Sequence, residues 1–254
     1  MKKNIEVEIC TFSLESCVNA QLAGASRVEL CSGMYDGGTT PSAAMIRMAR
    51  EKLSIELYVM IRPRGGDFLY SDLEFELMKE DILYARSCNA DGVVFGILKA
   101  DGSVDVERTK ELVEWAAPMK VTFHRAIDMT RNMEEALEDV VRAGCYRILT
   151  SGGRNTVDEG IEQIRTLVKQ AEGRVQIMAG SGVSATNASR LVEIGVDAIQ
   201  LSGKSSRDSK MVFRNPNVFM GGVPGVPEYE QYYSDVEKIK AALGKIKDKR
   251  FCDY

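Results

Sequence analysis

Eight short β-type runs alternate with helical stretches, and this alternation, a length of 254 residues and a recurring turn signal together predict an α/β fold. The expected architecture is a single-domain (β/α)8 TIM barrel over residues 1–254, since closed barrels of about 250 residues form one domain. Strands are expected at 5–10, 27–31, 55–62, 92–97, 120–124, 147–151, 175–179 and 198–202, each rich in Val, Ile, Leu or aromatics and bounded by Gly, Asp or Ser. Between them apolar residues recur at helical spacing, as in Leu14, Val18 and Leu22 or Ile161, Ile164 and Leu167. Thr40 followed by Pro41 predicts a capped entrance to the second helix. The turn signal is the series Gly24, Asn89, Gly144 and Gly195, each placed to close a helix in the left-handed conformation just before strands two, four, six and eight. An open doubly wound sheet is the rival arrangement, but eight strands in a chain of this length favour closure.

The rhythm breaks after strand eight. Residues 203–233 carry Pro216, Pro224, Pro227, Phe213, Phe219 and three tyrosines, and read as one long loop. Such a loop serves as a lid, a binding loop or an oligomer contact, or else packs over the barrel mouth. A last helix is expected at 235–247, with 249–254 as a tail.

Composition narrows the function. The chain has 33 Lys+Arg against 37 Asp+Glu, a net charge of −4, which argues against a general affinity for nucleic acid or anionic membrane. No apolar run approaches the roughly 20 residues that span a bilayer. Glu6 and Glu8 interrupt any signal-peptide core behind Met1-Lys2-Lys3, so a cytoplasmic location is expected. None of the six cysteines forms a C-x-x-C pair, and reduced thiols are expected.

Strand alternation assigns the barrel interior. Val7, Ile9, Val28 and Leu30 would face the helices, turning Glu8, Cys10, Glu29 and Cys31 inward with Tyr58, Met60, Arg62, Thr122, His124, Arg147, Ser151, Gln176, Met178 and Gln200. Chemistry in such barrels sits at the C-terminal mouth, where Cys10, Cys31, Arg62, His124 and Ser151 would converge. Val7-Glu8-Ile9-Cys10 recurs as Val28-Glu29-Leu30-Cys31, and matching register would set Cys10 beside Cys31 and Glu8 beside Glu29. Two mouth thiols suit a soft ion such as Cu(I); they equally suit a tapering barrel rim as small hydrophobes. Paired Glu8 and Glu29 suit acid–base work, one with a raised pKa, or a buried network with Arg62 or Arg147. His124, the only histidine, is a candidate catalytic residue or a hydrogen-bonded structural one. Arg62, Arg64 and Asp67 in Arg62-Pro63-Arg64-Gly65-Gly66-Asp67 form either an anion clamp or a salt-bridged turn. With Arg125, Ser151, Gly180, Gly182 and Gly203 on later loops, they make up the candidate anion-binding set.

The strings Glu8-x-Cys10, Arg27-Val28-Glu29-Leu30-Cys31, Gly37-Gly38-Thr39-Thr40-Pro41-Ser42, Arg62-Pro63-Arg64-Gly65-Gly66-Asp67-Phe68, Thr122-Phe123-His124-Arg125-Ala126 and Arg147-Ile148-Leu149-Thr150-Ser151-Gly152-Gly153 occur in that order. Together they resemble the CutC family of copper homeostasis proteins over about residues 5–203. The resemblance implies a (β/α)8 barrel, a cytoplasmic location, homo-oligomers and a role in copper homeostasis, and it carries the family's proposed Cu(I) ligands onto Cys10 and Cys31. Gln200-Leu201-Ser202 departs from the family pattern, standing where many members carry a His. Two functions are therefore expected in competition. One is a copper-handling protein with Cu(I) on the thiol pair. The other is an enzyme on a small phosphorylated or carboxylated metabolite, with His124 and Glu8 or Glu29 exchanging protons.

Overall fold

The computed structural model describes residues 5–220 and 225–248. Eight parallel strands close into a barrel in sequence order: β1 (Glu6–Thr11), β2 (Arg27–Leu30), β3 (Glu56–Met60), β4 (Gly92–Phe95), β5 (Lys120–Phe123), β6 (Arg147–Thr150), β7 (Gln176–Gly180) and β8 (Ala198–Leu201), with β8 pairing back onto β1. Seven helices intervene: α1 (Leu14–Ala23), α2 (Ala43–Lys52), α3 (Asp72–Ser87), α4 (Val106–Ala116), α5 (Met133–Arg142), α6 (Ile161–Ala171) and α7 (Ala188–Glu193). The four expected helix ends are left-handed, with φ of 89° at Gly24, 58° at Asn89, 86° at Gly144 and 92° at Gly195. The second helix starts later than Pro41 suggests. Ser42 caps it by accepting from Met45 N–H, while Thr40 turns away and accepts from the backbone of Arg62.

The segment after β8 is not a plain loop. Its ends pair as an antiparallel ribbon, β9 (Lys204–Asp208) and β10 (Glu230–Ser234), which projects an arm before the closing helix α8 (Val236–Asp248). Polar residues in β9, Lys204-Ser205-Ser206-Arg207-Asp208, hide this strand from a reading based on apolar runs. Met211, Val212, Phe213, Val218, Phe219 and Met220 stand exposed on the arm. The expected 249–254 tail lies outside the described residues.

Alternation sorts the side chains into two cores. Val7, Ile9, Val28, Leu30, Leu57, Val59 and Ile148 pack outward against the helices, while the inside holds two separate groups, Cys31 with Tyr58, Met60 and Val94, and Leu149 with Met178 and Ala198. Below the mouth the interior is ionic. Arg27, 1 % exposed, sets its Nε 2.5 Å from Glu8 and its Nη1 2.9 Å from Glu6 and 3.3 Å from Glu56, with its guanidinium 4.5 Å from the Tyr58 ring centre. Arg147, also buried, pairs with Glu6 and Gln176. Gly92 makes room for this layer: a Cβ there would lie 2.3 Å from Tyr58.

Removing Arg27 would strand the Glu8 carboxylate in the barrel. Arg27→Met is expected to cost about 3–5 kcal/mol in urea unfolding, as for a broken buried pair. Arg27→Met/Glu8→Gln should recover part of that loss, because the unpaired charge goes with it. Equal stability of the single variant and wild type would contradict this account.

Candidate functional site

β1 and β2 are not in matching register. Cys10 lies opposite Glu29 and Glu8 opposite Arg27, a two-residue slip between the duplicated tetrapeptides. Closing a barrel tilts its strands, and each must stagger along its neighbour. Even so, Cys31 reaches back to Cys10 across the stagger: the two Sγ atoms and a Glu29 carboxylate oxygen all lie within 4.8 Å of one another. Cys10 is half-buried, Cys31 and Glu29 are fully buried, and Glu29 Oε1 has no hydrogen-bond partner among the described residues.

Glu8 and Glu29 are bridged rather than adjacent. Gln200 Nε2 donates to Glu8 Oε1 at 2.7 Å and to Glu29 Oε2 at 3.0 Å. The cation for Glu8 is Arg27, not the expected Arg62 or Arg147. Burial, then the charge of Glu8, pushes Glu29 up to about 8, so at neutral pH it is mostly an uncharged acid. The hydrogen bond with Cys31 favours the Cys10 thiolate, but burial and the Glu29 and Glu8 carboxylates outweigh it and push the thiol up to about 11. Cys31 lies well above its usual range through its bond with Cys10 and its burial. Both thiols are therefore protonated at rest.

A cavity of about 370 Å³ opens above this cluster at the C-terminal mouth, lined among others by Cys10, Glu29, Arg62, His124, Arg125, Gly182, Gln200 and Ser202. Three of the expected anion-binding residues are thus on it: Arg62, Arg125 and Gly182. Arg62 does not form a clamp with Arg64. Its Nη atoms donate to the carbonyls of Asp36 (2.6 Å), Gly38 (2.8 Å) and Gly66 (2.7 Å), which holds the loops after β2 and β3 against the mouth. Arg64 turns outward to Glu74 at 2.6 Å and to Asp67 at 2.9 Å. Ser151 is buried against Asp128, whose carboxylate also accepts from Thr150, Gly153 and Arg125 and so ties the loops after β5 and β6 together. A Cβ on Gly180 would fall 2.5 Å from Leu149, so this glycine makes room beside the cavity, while Gly203 packs against Ile239 of α8.

His124, at the end of β5, accepts from Ala126 N–H through Nδ1 at 3.2 Å, which puts its proton on Nε2. Nε2 has no partner among the described residues. Burial, followed by the nearby charge of Arg62, lowers this imidazole to about 3, so it is neutral. Gly96 permits the placement, since a Cβ there would lie 2.6 Å from Nδ1. The residue that reading by strand ends overlooked is Arg27, although it alternates with Glu29 and Cys31 and so had to point inward with them.

A barrel with two thiols and a carboxylate within reach of one ion, below an open polar mouth, defines a protein with a candidate soft-metal site. Comparison with known proteins narrows this. The CutC family model matches residues 5–205. The chain is 46 % identical over 246 residues to a family protein CutC of Bacteroides fragilis, covering 96 % of this chain and 98 % of that one. It is 45 % identical over 243 residues to the copper homeostasis protein cutC homolog of Mus musculus, covering 95 % and 89 %. The solved structure of a CutC copper homeostasis protein from Streptococcus agalactiae superimposes with a TM-score of 0.74 at 36 % identity, over 78 % of this chain and 99 % of that one. The chain belongs to the CutC family. The family match stops at residue 205, so most of the β9–β10 arm lies beyond it. No helix among the described residues is long and apolar enough to cross a membrane.

The buried imidazole has a pH signature. His124 is neutral in the fold but has an unfolded value near 6.5, so its contribution is present above 6.5 and lost as pH falls toward 3. Each pH unit in that window costs about 1.4 kcal/mol. Glu29 has the opposite sign: raised from 4.5 to about 8, it contributes below 4.5 and loses that contribution as pH rises through 8. The two overlap, so the measurement is the stability gap between wild type and His124→Asn, which keeps an acceptor for Ala126. From pH 7 to pH 5 the gap should move by about 2 kcal/mol against wild type. A constant gap would mean that His124 titrates as it does in water.

Proposed function

We propose that this protein handles copper by binding Cu(I) between Cys10 and Cys31 at the floor of the barrel mouth. The supporting observation is the approach of both Sγ atoms and a Glu29 oxygen to within 4.8 Å. Thiolates are the soft donors that Cu(I) prefers, and two of them satisfy it. Charge also favours the assignment. Two thiolates and one Cu(I) leave a single negative charge, tolerable because Glu29 stays protonated and Glu8 is already matched by Arg27. Cysteines 10, 17, 31, 88 and 145 are all free, which suits the reducing cytoplasm we assign to the protein.

Binding must release the thiol protons, because both pKa values stand above neutrality. Cu(I) affinity should therefore rise with pH, by up to about tenfold per released proton per pH unit. Under anaerobic competition with a chromophoric Cu(I) chelator, wild type is expected to take up about one equivalent. Cys10→Ser/Cys31→Ser should lose it while keeping its melting temperature. Unchanged uptake in the double variant, or uptake indifferent to pH between 6 and 8, would defeat the assignment.

A further inference from the structure

Among the described residues that line the mouth cavity, Arg62 is the guanidinium without a salt bridge. It is 5 % exposed, its Nη groups donate to the three backbone carbonyls, the Tyr70 hydroxyl lies beside it and its charge reaches the exposed Asp67 carboxylate, but no carboxylate lies within salt-bridge distance of it among the described residues. Arg125, by contrast, is matched by Asp128 at 2.8 Å. A buried charge without an ion-pair partner is costly, so a buried guanidinium held by neutral groups favours an anion nearby. The second observation is independent. His124, also 5 % exposed and on the cavity lining, carries a buried N–H on Nε2 that nothing among the described residues accepts. Both groups touch the same Phe68 ring, the Arg62 guanidinium 4.9 Å and the imidazole 4.9 Å from its centre, so they share one wall of the cavity.

We propose that this wall binds a small monocarboxylic acid, whose charge is matched by Arg62 and whose oxygen accepts from His124 Nε2. One unmatched cation and one spare N–H fit a single delocalised negative charge. A phosphate dianion brings a second charge that the wall leaves unmatched and needs more donors than the wall provides. Met60, Phe68, Leu149, Val183 and Leu201 also line the cavity, and this apolar part of an otherwise polar lining suits a short hydrocarbon body. This site does not depend on the copper reading, since neither thiol takes part in it.

The test is calorimetric titration of reduced, copper-free protein with pyruvate, butyrate and inorganic phosphate. The carboxylates are expected to bind and phosphate to bind weakly or not at all. His124→Asn keeps the acceptor for Ala126 and removes the Nε2 donor, and should weaken carboxylate binding roughly tenfold. His124→Gln places a donor near the Nε2 position and should restore much of it, which separates a lost hydrogen bond from a damaged fold. Arg62→Met should abolish binding, whereas Cys10→Ser/Cys31→Ser should leave it intact even though Cu(I) uptake is gone. Heat from phosphate alone, no heat from either carboxylate, or equal affinities in wild type and His124→Asn would each overturn the proposal.

Discussion

Arg27 lies sealed inside the barrel with three carboxylates around it, and the arrangement above it follows from that contact. Glu8 is fully buried and is matched by Arg27 Nε at 2.5 Å. With the Glu8 carboxylate paired to Arg27, Gln200 bridges it to Glu29, and the second carboxyl is disfavoured as a charge. An uncharged Glu29 beside Cys10 and Cys31 keeps the floor of the mouth from accumulating negative charge. The ionic layer in this way influences the protonation of the thiol and carboxyl groups above it.

The stagger of the strands determines which groups meet. In matching register the repeated tetrapeptides would place thiol beside thiol and carboxylate beside carboxylate, an arrangement with two like charges in contact. The two-residue slip instead sets Glu8 against Arg27 and Cys10 against Glu29. The thiols still meet, because Cys31 sits just past the end of β2 and its buried Sγ comes within 4.8 Å of Cys10 Sγ. Barrel closure thus converts a simple repeat into a graded column: ion pair at the bottom, amide bridge in the middle, thiols and neutral acid at the top.

The barrel was legible because its determinants are local. Alternation of period two turned Cys10, Glu29, Arg62 and His124 inward, and the apolar partners Val7, Ile9, Val28 and Leu30 outward. Helix ends at Gly24, Asn89, Gly144 and Gly195 announced themselves because few residues tolerate a left-handed conformation. What escaped depends on distance through space. Arg64 and Ser151 look like ligand residues in their strings, yet Glu74 claims the first and Asp128 the second. Register, which couples β1 to β2, is fixed by closure of all eight strands and leaves no mark within either tetrapeptide. The β9–β10 arm escaped because its first strand is polar and pairs with a partner more than twenty residues away.

The mouth holds two kinds of chemistry that need not act together. Its floor offers soft donors that, on the proposed function, would take a metal only by giving up protons, so that face would respond to pH and to the redox state of the thiols. Its wall offers a fixed cation and a neutral imidazole, both positioned by backbone: Arg62 by three carbonyls, His124 by Ala126 N–H and by the space at Gly96. Groups held this way lose little freedom when a ligand arrives, which is the condition for a small molecule to bind with few contacts. The floor is adaptable and the wall is preorganised. The two meet in one cavity of about 370 Å³, whose lining includes Cys10 from the floor alongside Arg62 and His124 from the wall.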